Sequence, residues 1–177
     1  MKKLAIATAL AAAFVATTAT AENIRARLTG YQEVPSVSTP ASGEFKAQIS
    51  HDDGLIEYEL SYSGLAGTVQ QSHIHVAQRG VNGSVVIWLC QTTTTPAPTA
   101  VAGLTPFCPQ SGTVTGQITA ANVIAAGTAS QQITAGELAE VIAAIRAGVA
   151  YANVHATPLN PGGEIRGQLR ASRRDRD

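Results

Sequence analysis

Gly43-Glu44-Phe45-Lys46-Ala47-Gln48-Ile49-Ser50, then His51-Asp52-Asp53-Gly54, then Leu55-Ile56-Glu57-Tyr58-Glu59-Leu60-Ser61-Tyr62 is the stretch that decides the fold class. Phe45, Ala47 and Ile49 occupy alternate positions, so they share one face of an extended strand. In the second run Ile56, Tyr58, Leu60 and Tyr62 share a face, opposite Leu55, Glu57, Glu59 and Ser61. The four residues between the runs carry the Asp and Gly of a tight turn. Two alternating runs joined in this way predict a β-hairpin with one buried face.

Outward from this hairpin the same pattern recurs. Strand-like runs cover Ile24 to Leu28, Val69 to Val76, Val85 to Leu89 and Val114 to Ile118, and Val81-Asn82-Gly83-Ser84 provides a further turn. Gly30 to Thr39 reads as a loop carrying Glu33-Val34-Pro35. Val85 to Leu89 is apolar on both faces, as expected of a central strand. Near the C-terminus, Val149 to His155 and Glu164 to Leu169 are expected to pair as a hairpin across a Pro158-Leu159-Asn160-Pro161-Gly162-Gly163 turn. One segment departs from period two. Leu138, Val141, Ile142 and Ile145 have helical spacing within 135–147. Thr134 with Glu137 three residues on matches a capping box, and Gly148 suits a helical stop. The fold class is therefore mainly β, an antiparallel β-sandwich or barrel with one inserted amphipathic helix near 135–147.

The chain starts with a basic Lys2-Lys3, an apolar run from Leu4 to Val15, and Ala19-Thr20-Ala21. These are the three parts of an export signal over residues 1–21, with cleavage before Glu22. The apolar run is too short to span a bilayer, and no later run is long enough. No Cys stands at the cleavage site, which argues against a lipid anchor. Localisation is expected to be periplasmic or secreted. Without Lys2 and Lys3, ten basic and twelve acidic residues remain. The cluster Arg170, Arg173, Arg174 and Arg176 lies at the end of the chain and reads as part of a solvated tail, with 171–177 disordered. A nucleic-acid partner needs a larger basic face, and export argues against one. Residues 22–170 suit a single domain with its own core.

In an exported chain the two cysteines, Cys90 and Cys108, read as a disulfide. They bracket the Thr/Pro-rich segment 91–107, which buries little by itself. A metal role is the weaker alternative, since neither belongs to a CxxC pair.

Three of the four histidines fall in two strand-like runs, His73-Ile74-His75 and Asn153-Val154-His155. Alternation places His73 and His75 on one side of their strand, so they can offer two imidazoles to one ion. His155 could supply a third. On its strand His155 shares a face with Asn153 and Tyr151, and on the next strand Glu164, Arg166 and Gln168 share a face. A carboxylate and a guanidinium thus come within reach of His155. Each residue also has a plain structural reading. The His-x-His pair serves equally as polar residues on a sheet face, and Glu164 with Arg166 as an ion pair of modest worth. His51 lies in a turn and is expected to be exposed.

The run Leu28-Thr29-Gly30-Tyr31-Gln32-Glu33-Val34-Pro35, then Ser72-His73-Ile74-His75, then Gly80-Val81-Asn82-Gly83-Ser84-Val85-Val86 resembles the CHRD domain family. Tyr151-Ala152-Asn153-Val154-His155-Ala156-Thr157, followed by Pro161-Gly162-Gly163-Glu164-Ile165-Arg166-Gly167-Gln168-Leu169, extends the likeness over about Ile24 to Arg170. The family takes its name from chordin, a secreted antagonist of growth factors, and it also occurs in exported microbial proteins. The resemblance implies an exported module and, through chordin, a protein partner in the envelope.

A looser similarity runs to Cu/Zn superoxide dismutase, in the order of a His-x-His pair, a late His and a following Arg. It implies a superoxide-dismutase-like fold, with His73, His75 and His155 as copper ligands and Arg166 as an anion contact. The chain lacks that enzyme's bridging histidine and zinc cluster, so only a single-metal, three-His site is implied.

Neutral imidazoles in an exported protein point to Cu or Zn as cofactor rather than Mg or Ca. Asn153, Glu164 and Arg166 are then second-shell or anion contacts. Three functions follow: a transition-metal binding module, a copper-dependent redox enzyme, and a metal-free protein-interaction module. No nucleophile elbow, phosphate loop or general base is evident, so catalytic residues are not assigned.

Overall fold

The computed structural model describes residues 21–172. Nearly all of the expected export signal, and 173–177 of the expected tail, lie outside the described residues.

Eight strands follow one another in a single antiparallel path. They are β1 (Glu22–Thr29), β2 (Ser42–Ile49), β3 (Ile56–Ser63), β4 (Thr68–Val76), β5 (Ser84–Cys90), β6 (Gly112–Ile118), β7 (Ala150–Thr157) and β8 (Asn160–Gln168). Their order is β5-β4-β7-β8-β1-β2-β3-β6, which curls into a nearly closed barrel. A short β9 (Arg170–Ala171) pairs with β1. This corrects the expected tail boundary: Ala171 is in the sheet, and the Ser172 backbone N–H donates to Asn23 O at 2.7 Å.

The hairpin read from Gly43 to Tyr62 forms in register, with Phe45 opposite Leu60 and Ala47 opposite Tyr58. Its apolar face lines the barrel, where Phe45, Ile56 and Leu60 are fully buried. Burying each such side chain contributes about 1.5–3 kcal/mol. Gly116 of β6 stands opposite Tyr58, and a Cβ there would lie 2.6 Å from the tyrosine oxygen. The glycine therefore makes room for a ring inside the barrel. Tyr58 in turn donates its hydroxyl to Leu89 O of β5 at 2.6 Å, tying β3 to the far end of the path.

Val85–Leu89 is not a central strand. β5 ends the path, and its outer edge is covered by the chain around Val123, where Ile124 N–H donates to Val86 O and Ile87 bridges Val123. That cover explains why Val86 and Ile87 are both buried in a terminal strand. Cys90 and Cys108 form a disulfide that fastens the long connection towards β6. This connection holds one helical turn, α1 (Thr99–Ala102).

The inserted helix α2 runs Leu138–Arg146, starting later than the spacing predicts. Gly136 adopts φ +89°, which breaks a helix begun at 135. Half of the capping box is present, because Thr134 N–H donates to Glu137 Oε2 at 2.6 Å. Leu138, Val141, Ile142 and Ile145 are its buried residues, and Gly148 at φ +72° ends it.

The late hairpin is tighter than the Pro158–Gly163 turn implies. β8 already begins at Asn160, so Pro161, Gly162 and Gly163 lie within the strand. The extra length is absorbed by a bulge between Val154 and Ala156. Among the described residues no helix is long and apolar enough to cross a membrane.

Candidate metal centre

β4 and β7 are neighbours, with His73 directly opposite Asn153 and His75 opposite Tyr151. Alternation then sends His73, His75, Tyr151, Asn153 and His155 to one side, away from the apolar interior that takes Ile74, Ala152 and Val154. Bulges flank the critical positions. β4 shifts register against β5 between Ser72 and His73 and again between Ile74 and His75, and His155 sits in the β7–β8 bulge. These irregularities re-aim side chains that a flat ladder would hold parallel.

The structure brings the three predicted imidazoles together. One ring nitrogen from each of His73, His75 and His155 lies within 4.8 Å of the other two. All three residues are buried, at 2%, 7% and 6% exposure. His73 Nδ1 is 3.2 Å from His155 Nε2. Two nitrogens bound at 2.0–2.1 Å to one tetrahedral ion lie about 3.3 Å apart, so this pair is already at ligand spacing.

Hydrogen bonds fix the tautomers. His75 Nδ1 lies 2.9 Å from Gly83 O, and His155 Nδ1 lies 2.9 Å from Pro161 O. A carbonyl can only accept, so both rings carry their proton on Nδ1 and direct a bare Nε2 lone pair inward. His73 Nδ1–H then donates to His155 Nε2, while His73 Nε2 is buried without a hydrogen-bond partner. Burial is the main cause that pushes all three pKa values down, that of His75 to about 4. The cluster is therefore neutral at pH 7, the form that binds metal.

Aromatic rings enclose the cluster. Tyr151 stacks on His75 at 4.6 Å between centroids, and Trp88 packs edge-on against His73 at 4.3 Å. Arg166 lies over the other face of this arrangement, its guanidinium carbon 3.3 Å from the Tyr151 ring centroid. Its Nη2 donates to Val81 O at 2.8 Å and its Nη1 to Asn82 Oδ1 at 3.2 Å. The residue thus braces the 81–83 turn, which carries the Gly83 carbonyl that holds His75. It also lines a cleft of about 350 Å³ with Tyr31, Glu33 and Arg79.

Asn153 touches the site directly, with Oδ1 3.1 Å from His75 Nε2. Glu164 does not meet the histidines through a hydrogen bond. Its Oε1 accepts from Thr39 Oγ1 at 2.6 Å and from Ala66 N–H at 2.8 Å, which anchors two loops beside β8. The carboxyl that reaches the cluster's surroundings is Glu33, from the turn after β1. Burial raises its pKa from 4.5 to about 7, opposed by Arg166, the Val34 backbone and the Asn153 amide. Its Oε1 has no hydrogen bond of good geometry even so. Sequence reading left Glu33 without a role. The one available signal was that it is the only charge in residues 30–39. His51 is exposed in its turn, remote from the cluster in the chain's pairing.

Compared with known proteins, the chain matches the CHRD domain model over residues 24–169. No curated protein and no solved structure matches it.

Proposed function

Since the chain belongs to the CHRD domain family, we propose that it is an exported domain that binds one Cu or Zn ion through His73, His75 and His155. The observation that carries this reading is the pair of backbone carbonyls, Gly83 O and Pro161 O, that set two Nε2 lone pairs inward beside a third imidazole. Outer partners of this kind orient metal-binding histidines and raise their basicity. A polar sheet face needs no such arrangement, and it would not bury three unprotonated rings. His73 is the adaptable member, because nothing holds its Nε2. With Nδ1 as a ligand, the ring would carry its proton on Nε2 instead. Neutral nitrogen donors suit Cu or Zn.

Export is supported by three features: the Ala19-Thr20-Ala21 site, the start of β1 at Glu22 directly after it, and the Cys90–Cys108 disulfide. On this reading residues 1–21 are removed, the domain follows from Glu22, and the protein works in the periplasm or outside the cell.

Trp88, the chain's only tryptophan, is a built-in reporter beside His73. Metal-free protein is titrated with Cu(II) and Zn(II) while Trp88 fluorescence is followed, and metal content is measured after dialysis. One ion per chain is expected, with Cu(II) quenching the indole, and His75→Ala should weaken uptake at least tenfold, roughly the effect of losing even an outer partner. Absence of stoichiometric uptake of either ion overturns the proposal and leaves a metal-free interaction module.

A further inference from the structure

His75 and Asn153 face each other in a way that the protein alone does not satisfy. Neutral His75 has a single ring proton, and Gly83 O holds it on Nδ1 at 2.9 Å. Its Nε2 is therefore an acceptor, yet the group 3.1 Å away is Asn153 Oδ1, also an acceptor. Two lone pairs at that distance repel each other unless a cation is shared between them.

The other end of the carboxamide fixes this orientation. A Cβ on Gly163 would stand 2.5 Å from Glu33 Oε1 and 2.9 Å from Asn153 Nδ2, so the glycine lets the carboxyl close on the amide nitrogen. The Asn153 carboxamide is the side-chain hydrogen-bond partner of the Glu33 carboxyl, and of its two ends only the nitrogen can donate to a carboxyl oxygen. Nδ2 thus points out to Glu33, whose buried Oε1 is otherwise unpartnered, and Oδ1 points in. The position of Asn153 agrees: it lies opposite His73 in the ladder and two residues from His155 on the same face.

We propose that Asn153 Oδ1 is a fourth ligand to the ion held by the three histidines, and that Glu33 is the positioning residue that turns the carboxamide oxygen inward. The inference rests on the metal-binding reading above and sharpens it. The site closes with three nitrogens and one oxygen, and it leaves no position open for an exchangeable ligand. Closed four-ligand sites hold or hand over metal, whereas catalytic ones keep a position for water or substrate.

The purified protein, loaded with Co(II) as a spectroscopic stand-in, is titrated with azide. Visible absorption of the wild type is expected to show four-coordinate Co(II) and not to respond to azide. Asn153→Ala should bind Co(II) at least about tenfold more weakly, and azide should then change its spectrum. Asn153→Asp combined with Glu33→Gln keeps an oxygen in place, adds charge and lets the new amide at 33 donate to the outer oxygen, so it should bind at least as tightly as the wild type. If azide changes the wild-type spectrum as it does that of Asn153→Ala, the fourth-ligand assignment is overturned while metal binding stands. Weakening in the Asn153→Asp, Glu33→Gln double variant as large as in Asn153→Ala overturns it equally. If the wild type takes up no Co(II), Cu(II) or Zn(II), the metal-binding reading fails, and the assignment fails with it.

Discussion

Acidifying the metal-free protein from pH 7 to about pH 4 should destabilise it, and the histidine cluster sets the size of the effect. Burial is the main cause that lowers the His75 pKa from 6.5 to about 4. Between those values the unfolded chain binds a proton that the folded one refuses, so stability falls as the pH drops through 6.5. At 1.36 kcal/mol per unit, His75 alone accounts for roughly 3 kcal/mol. His73 and His155 move in the same direction for the same leading reason.

Glu33 acts the other way. Its folded pKa is raised from 4.5 to about 7, so its contribution is present below 4.5 and is lost as the pH rises through 7. That offsets His75, and His73 and His155, shifted downward as well, leave a net loss of stability on acidification. Urea unfolding in the presence of a chelator, at intervals from pH 7 to 4.5, measures the slope. Glu33→Gln should steepen it by removing the opposing group. Stability that stays level or rises as the pH falls from 6.5 to 4.5 would refute the picture of three buried, neutral imidazoles.

Other perturbations probe the supports of the site and fold. Gly163→Ala places a Cβ at φ +130° against Glu33 and Asn153, and it should lower stability by about 1–3 kcal/mol in thermal unfolding. Arg166→Ala removes the brace on the 81–83 turn, so metal affinity in a competition titration should drop about 10–100-fold. Arg166→Lys should not restore it, because an ammonium cannot stack on Tyr151 while donating to both Val81 and Asn82. Cys90→Ser with Cys108→Ser opens a loop of sequence separation 18 and should cost about 3 kcal/mol in chemical unfolding.

The barrel was legible wherever one strand face is apolar and the other polar. Phe45, Ala47 and Ile49 against Ile56, Tyr58 and Leu60 announce both the hairpin and its buried side, since the side-chain period in a strand is two. The same alternation grouped His73 with His75, and Tyr151 with Asn153 and His155. It could not show that β4 and β7, some eighty residues apart, are neighbours. Nor could it reveal the bulges beside His73, His75 and His155, because a bulge changes hydrogen-bond pairing rather than composition.

Glu164 was chosen over Glu33 for the same reason. It shares a strand face with Arg166, and local periodicity is visible in a sequence. Glu33 arrives from a turn after β1 through the gap that Gly163 leaves. The apolar residues on both faces of Val85 to Leu89 suggested a central strand because a sequence pattern reports burial but not what covers a face. Here part of that cover is the chain near Val123 rather than another full strand.

A crystal of the Zn(II)- or Cu(II)-loaded protein, with anomalous scattering recorded at the metal edge, tests the central claim most directly. The account predicts one strong peak per chain, about 2.0–2.1 Å from a ring nitrogen of each of His73, His75 and His155. A metal-soaked crystal with no peak among those three rings, or with its ordered ion elsewhere on the protein, would contradict it.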